Sequence, residues 1–129
     1  MKRSKDLIRD ILLMAESHDR GFSYHFSENY DDDAGTDFPG IKSGDLSGHF
    51  KLLLDNNYLE GDIAGVYHTI FHVSISSITM KGYDLLDSIR DQGVWAEIKK
   101  ELGIAGESWN LEIIAKLGTK IVAKKLGIT

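Results

Sequence analysis

Apolar residues recur over residues 4–17 at Leu7, Ile8, Ile11, Leu12 and Ala15, the spacing of one buried helical stripe. Ser4 stands where an N-cap belongs, and Asp6 falls in the first turn, where the helix dipole favours an anion. Asp19-Arg20-Gly21 ends this element. Residues 22–26 (Phe-Ser-Tyr-His-Phe) alternate aromatic with small or polar side chains, which predicts a short strand. Over residues 27–45 the pattern breaks up among Glu28, Asn29, Asp31, Asp32, Asp33, Gly35, Pro39, Gly40 and Gly44, predicting a loop with one short turn of helix near residues 40–43. A second helix is expected after it, capped by Asp45, with Leu46, Phe50, Leu53 and Leu54 inward. Asn56-Asn57 closes it, asparagine being second only to glycine in the left-handed position after a helix.

Residues 66–78 are β-branched and aromatic, with Tyr67, Phe71, Val73 and Ile75 on one alternating face. Tyr58-Leu59 leads into a preceding strand, and Gly61 and Gly65 mark a hairpin turn, with a later turn as the alternative. Three further helices are predicted. The first follows Thr79 with Gly82, Leu85, Leu86 and Ile89 inward; the second spans 94–102 on Val94, Trp95, Ile98 and Leu102. The last, residues 111–126, carries Ile113, Ile114, Leu117 and Ile121 on one side and Val122 and Leu126 on another. So wide an apolar face predicts packing on two neighbours or on a second copy.

At 129 residues and 42% hydrophobic, the chain suits one domain, or one small domain with a helical appendage. It has no cysteine, which excludes disulfides, thiolate metal sites and a thiol nucleophile. No apolar run approaches the roughly 20 residues of a membrane span. Arg9 and Asp10 interrupt the start, so it reads as no signal peptide, and a cytoplasmic location is expected. The net charge of −5 is uneven: +1 over residues 1–20, −7 over 21–65, −1 over 66–92 and +2 over 93–129. Any polyanion bound here must contend with the acidic middle.

The order helix, strand, loop, helix, hairpin, helix resembles a winged helix-turn-helix. Residues 47–59, Ser-Gly-His-Phe-Lys-Leu-Leu-Leu-Asp-Asn-Asn-Tyr-Leu, are similar to the reading-helix signature of bacterial winged-helix regulators, Ser-x-His-Leu-x-x-Leu-x-x-Ala-Gly-Leu-Val. Ser47, His49 and Leu53 match; Phe50 replaces Leu, and Asn56-Asn57 replaces Ala-Gly. Ile78-Thr79-Met80-Lys81-Gly82-Tyr83-Asp84-Leu85-Leu86 resembles the Leu-Thr-x-x-Gly-x-x-Leu-Leu motif that closes the wing and opens the next helix. Across nearly the whole chain, the opening Asp-Leu-Ile-Arg-Asp-Ile-Leu-Leu, the central Gly-His-Phe-Lys-Leu-Leu and the stretch Thr79–Trp95 resemble domain-of-unknown-function family 2513. Its members are short proteins, often of phage or prophage origin. The resemblance implies an α+β fold, a winged helix over residues 1–91 and a helical extension over 92–129 that packs back or forms a homodimer.

Two functions follow from this reading. The first is a transcriptional regulator binding double-stranded DNA, with Ser47, Lys51 and Lys42 in the major groove and Gly48, Lys81, Lys2 and Arg3 as further contacts. Base and phosphate contacts call for Arg, Lys, Asn or Gln, and the outward positions of this helix offer Gly48, Lys51, Leu52 and Asp55. The wing, residues 61–72, holds no Lys or Arg. The second is a protein-interaction module using the outward Leu52 and the acidic loop at Asp31, Asp32 and Asp33. No cofactor or metal is implied. His68 and His72 would stand about 13 Å apart on a strand, too far to share an ion, and the aspartates fit no calcium-binding loop. Catalytic motifs are absent, so a non-enzymatic role is expected. Trp95 and Trp109 read as packing residues, and Lys116, Lys120 and Lys124 as a solvated basic stripe.

Overall fold

The computed structural model describes residues 1–66, 69–104 and 109–128. In chain order the elements are α1 (Lys5–Ser17), β1 (Phe22–His25), α2 (Ser43–Asp55), β2 (Leu59–Val66), β3 (Thr69–Ile78), α3 (Met80–Ile89), α4 (Gln92–Ile104) and α5 (Leu111–Lys125). Among the described residues the fold is thus α+β, with five helices and one antiparallel sheet of order β1-β3-β2. This arrangement is compatible with a winged-helix-like fold followed by helices. Contacts divide the chain into two compact units, Met1–Met80 and Lys81–Thr129, so α3 belongs with α4 and α5 almost entirely.

In the N-terminal unit the expected stripe of α1 is buried, from Leu7 to Ala15, and the Ser4 hydroxyl accepts the Leu7 N–H. Phe50 is the hub of the core: fully buried, it lies 6.0 Å from the ring of Phe22, 6.2 Å from Tyr24 and 6.1 Å from Phe26. The aromatic alternation of β1 puts Phe22 and Tyr24 against this side chain. Register pairs Phe22 with Ile75 and Tyr24 with Val73, placing these four on the core face of the sheet. At the end of α2, Asn57 adopts the left-handed conformation the sequence predicts, at φ 64°.

Four expectations in this unit need correction. Helix α2 begins at Ser43 with Lys42 at the cap position, not at Asp45. The reason lies in the preceding loop, where the Asp32 carbonyl accepts the Ser43 N–H at 2.7 Å and the Tyr30 carbonyl accepts the Gly44 N–H at 3.0 Å. Backbone oxygens satisfy the first free donors, and no side-chain cap is needed. Second, no separate turn of helix precedes α2, whose first residue is Ser43; residues 26–42 are turns and bends with one bridge between Asp33 and Lys42. Local side chains hold this backbone instead, Asn29 Oδ1 accepting from Asp31 N–H and Ser27 Oγ from Asn29 N–H. The helix that a helix-turn-helix places before its reading helix therefore has no counterpart in this segment.

Third, the hairpin does not turn at Gly61 or Gly65. Both lie inside β2, at shifts of register against β3, and the ladder continues to Val66 and Thr69. Fourth, β3 begins at Thr69, so residue 66 belongs to β2. Val73 and Ile75 are buried as expected, whereas Tyr67 and His68 altogether, and the side chain of Phe71, lie outside the described residues.

In the C-terminal unit Gly82, Leu85, Leu86 and Ile89 of α3 are buried, as are Val94, Trp95, Ile98 and Leu102 of α4. On α5 the buried residues are Ile114, Gly118 and Ile121. Ile113 and Leu126, expected on packed faces, are 40% and 67% exposed. Gly118 lies directly against the Ser88 carbonyl, which lets α5 approach α3 more closely than any side chain would allow. No described helix is long and apolar enough to cross a membrane.

Candidate functional site

Helix α2 presents one side to the core and the other to a shallow groove. The inward side carries Leu46, Phe50 and Leu53, all fully buried. Beside them Ser47 and His49 are also buried. The Ser47 hydroxyl donates to the Gly44 carbonyl at 3.1 Å. His49 bonds through both ring nitrogens: Nε2 accepts the Ser4 N–H at 2.8 Å, and Nδ1 lies 2.6 Å from the Asp45 carbonyl. The first bond requires a bare Nε2, so the proton sits on Nδ1 and donates to Asp45. The motif that resembles a reading helix therefore ties α2 to the start of α1.

The groove has a floor of small residues, Gly44, Ser47 and Gly48, and walls from Met1, Tyr30, Leu52 and Ile70. The bare glycines let two neighbours settle on this floor. A Cβ on Gly44 would stand 2.8 Å from Tyr30 Cβ, and one on Gly48 would collide with the Met1 sulfur. The Tyr30 hydroxyl accepts the Ile70 N–H at 3.1 Å, fixing that wall to β3. Lys51 and Asp55 close the outer end, paired at 2.5 Å with both side chains 56% exposed.

Gly48, Lys51 and Leu52 line the groove, with Leu52 half-buried and Lys51 exposed. Lys2 and Arg3 are exposed and follow the wall residue Met1 in sequence. Ser47 contributes to the floor, but its hydroxyl is committed to Gly44, so it offers no reading group in this conformation. Lys42 caps α2, 3.8 Å from Asp31 in a highly exposed pair. Asp31, Asp32 and Asp33 are exposed on the loop that carries Tyr30. Asp32 accepts from the Ser27 hydroxyl at 2.5 Å, and Asp33 carries the bridge to Lys42. Lys81 belongs to the C-terminal unit.

The sequence reading missed Met1 and Tyr30, the walls that make the face concave. The signal available was the Gly44-x-x-x-Gly48 spacing, which leaves one helix side bare for something to settle on. Electrostatically the N-terminal unit is acidic, with seven Lys and Arg against thirteen Asp and Glu, while the C-terminal unit has eight against seven. Tyr24, on the core face of β1, has its pKa raised above the usual tyrosine value. Burial is the largest cause, followed by the carboxylates of Asp37 and Asp33.

Comparison with known proteins gives two matches and one blank. Residues 2–108 match the model of a family described as "Hypothetical protein (DUF2513)". An "Uncharacterized protein" of Haemophilus influenzae is 32% identical over 128 residues, covering 98% of this chain and 99% of that protein. No solved structure matches.

Proposed function

The chain belongs to the DUF2513 family, and we propose that its N-terminal unit is a protein-docking module that receives a basic, apolar-anchored segment of a partner in the α2 groove. One observation carries this reading: the groove has apolar walls, and Lys51 at its mouth is already paired with Asp55. The Asp55 carboxylate beside Lys51 offsets its charge toward a phosphate, while the apolar walls suit a leucine-like anchor. The surrounding charge points the same way, because Asp31, Asp32 and Asp33 stand on the loop that supplies Tyr30. Complementary charge of this kind steers encounter and selects partners more than it adds affinity.

Regulation through double-stranded DNA is the second reading, supported by the packing of Met1 on Gly48, which brings the start of the chain, with Lys2 and Arg3, to the same helix. Against it stands the excess of six negative charges on this unit, since phosphate contacts supply most non-specific affinity. A dye-labelled peptide rich in Lys and Arg with one central Leu, followed by fluorescence anisotropy, tests docking. Binding is expected to weaken about tenfold in Leu52→Lys, which places a cation on an apolar wall against a basic peptide. The same protein is expected to leave random duplex DNA unshifted at low salt. A shift that Lys51→Glu abolishes, with no peptide binding, would establish the DNA reading instead.

A further inference from the structure

The strongest unassigned feature lies on the opposite face of the sheet from the core. His25 of β1 and His72 of β3 are register partners, and their ring centroids are 4.5 Å apart with planes inclined at 45°. Their neighbours Tyr24 and Val73 point inward, so the two imidazoles stand on the outward side. His25 is exposed and His72 half-buried. The other two histidines with described side chains use ring nitrogens for internal bonds: His49 through both, and His18 through Nδ1 with Ser17 and Met14. No hydrogen bond holds either ring of the His25–His72 pair among the described residues.

We propose that His25 and His72 form a two-imidazole site for a borderline first-row divalent cation, of the class Zn²⁺, Ni²⁺ and Cu²⁺. Neutral imidazole is a good ligand for these ions, whereas Mg²⁺ and Ca²⁺ demand oxygen donors. The ladder between β1 and β3 holds the second ligand beside the first, so chelation needs no further ordering of the backbone. Among the described residues no third His, Asp or Glu completes a cluster, and water fills the remaining positions. Asp62 of β2 pairs with Ser74, two residues along β3 from His72. Its carboxylate thus shares the outward face and adds favourable charge. The spacing between His68 and His72 in sequence concealed this pair, because the chelating neighbour of His72 comes from a strand 47 positions earlier.

The test uses the full chain without an affinity tag, stripped with EDTA. Calorimetric titration with Zn²⁺ is expected to show one site. With Cu²⁺, electron spin echo spectra are expected to count two coordinated imidazoles. His25→Gln and His72→Gln are each expected to weaken Zn²⁺ about tenfold or more and to leave a single imidazole, while His18→Gln changes neither. Ala64 pairs with His72 from the β2 side, so Ala64→His offers a third imidazole and is expected to tighten binding about tenfold. Far-UV circular dichroism confirms that each variant folds. Zn²⁺ affinity unchanged in both glutamine variants, or unimproved by Ala64→His, would overturn the assignment, as would equal binding of Mg²⁺.

Discussion

His49 and Tyr24 show how single side chains hold the acidic N-terminal unit together. His49 reaches from α2 to the Ser4 N–H, 45 residues away in sequence, and its tautomer follows from that one contact. A histidine beside an apolar stripe looks the same in sequence whether it packs or reaches out, so this role could not be read before the partner was in view. The Tyr24 hydroxyl donates to the Ala34 carbonyl at 2.9 Å and so pins the loop to β1. Burial, then Asp37 and Asp33, raise its pKa above 10.0. Well below pH 10 the phenol is protonated in both folded and unfolded chains, and its contribution to stability is complete. As pH rises past 10 the unfolded chain releases the proton first, so stability falls. Tyr24→Phe is therefore expected to cost about 1 kcal/mol near neutral pH and to lose stability less steeply than wild type above pH 10. Urea unfolding across that range measures both, and parallel slopes would remove Tyr24 as the cause.

At the scale of elements, amphipathic spacing located all five helices, because a buried stripe is a local pattern. It failed at the two places where backbone meets backbone. The start of α2 is satisfied by the carbonyls of Tyr30 and Asp32, which no side-chain signal announces. In β2, Gly61 has the composition of a turn but lies at a register shift, where a Cβ would strike the Ser74 carbonyl and sit 3.0 Å from Ile75 Cα. A strand glycine signals a bulge or a turn equally well, and only the pairing decides. Gly61→Ala is thus expected to destabilise by about 1–3 kcal/mol through overpacking against β3. Gly103→Ala supplies the opposite sign, since that site in α4 is exposed with nothing within 4 Å; a gain of about 0.5–1 kcal/mol is expected there. Chemical denaturation of the two variants decides the matter, and a neutral Gly61→Ala would mean that β2 can move away from β3 at little cost.

For the whole molecule, the resemblance carried the family and the fold class, and periodicity carried most of both cores. The concave face of α2 stayed hidden, because Met1 and Tyr30 reach it from loops with no periodic pattern. The resemblance sets a helical extension apart from residue 92 onward, and the contacts group α3 with α4 and α5 in the unit Lys81–Thr129. The approach of Gly118 to the backbone of Ser88 joins α5 to α3, and such a contact leaves no trace in hydrophobic spacing. Each unit consequently has its own core, one centred on Phe50 and the other containing Trp95, Ile98 and Ile114. Both tryptophans, Trp95 and Trp109, lie in the second unit, so indole fluorescence reports that unit alone. Phe50→Ala removes the hub of the first core and is expected to cost about 3–5 kcal/mol there. Hydrogen exchange should then speed up through α1, α2 and the three strands, with residues 81–128 keeping their protection and the tryptophan unfolding midpoint staying at its wild-type value. If exchange accelerates equally in both halves and the fluorescence midpoint falls with it, the two cores unfold as one cooperative body, and the division at Met80 has no energetic meaning.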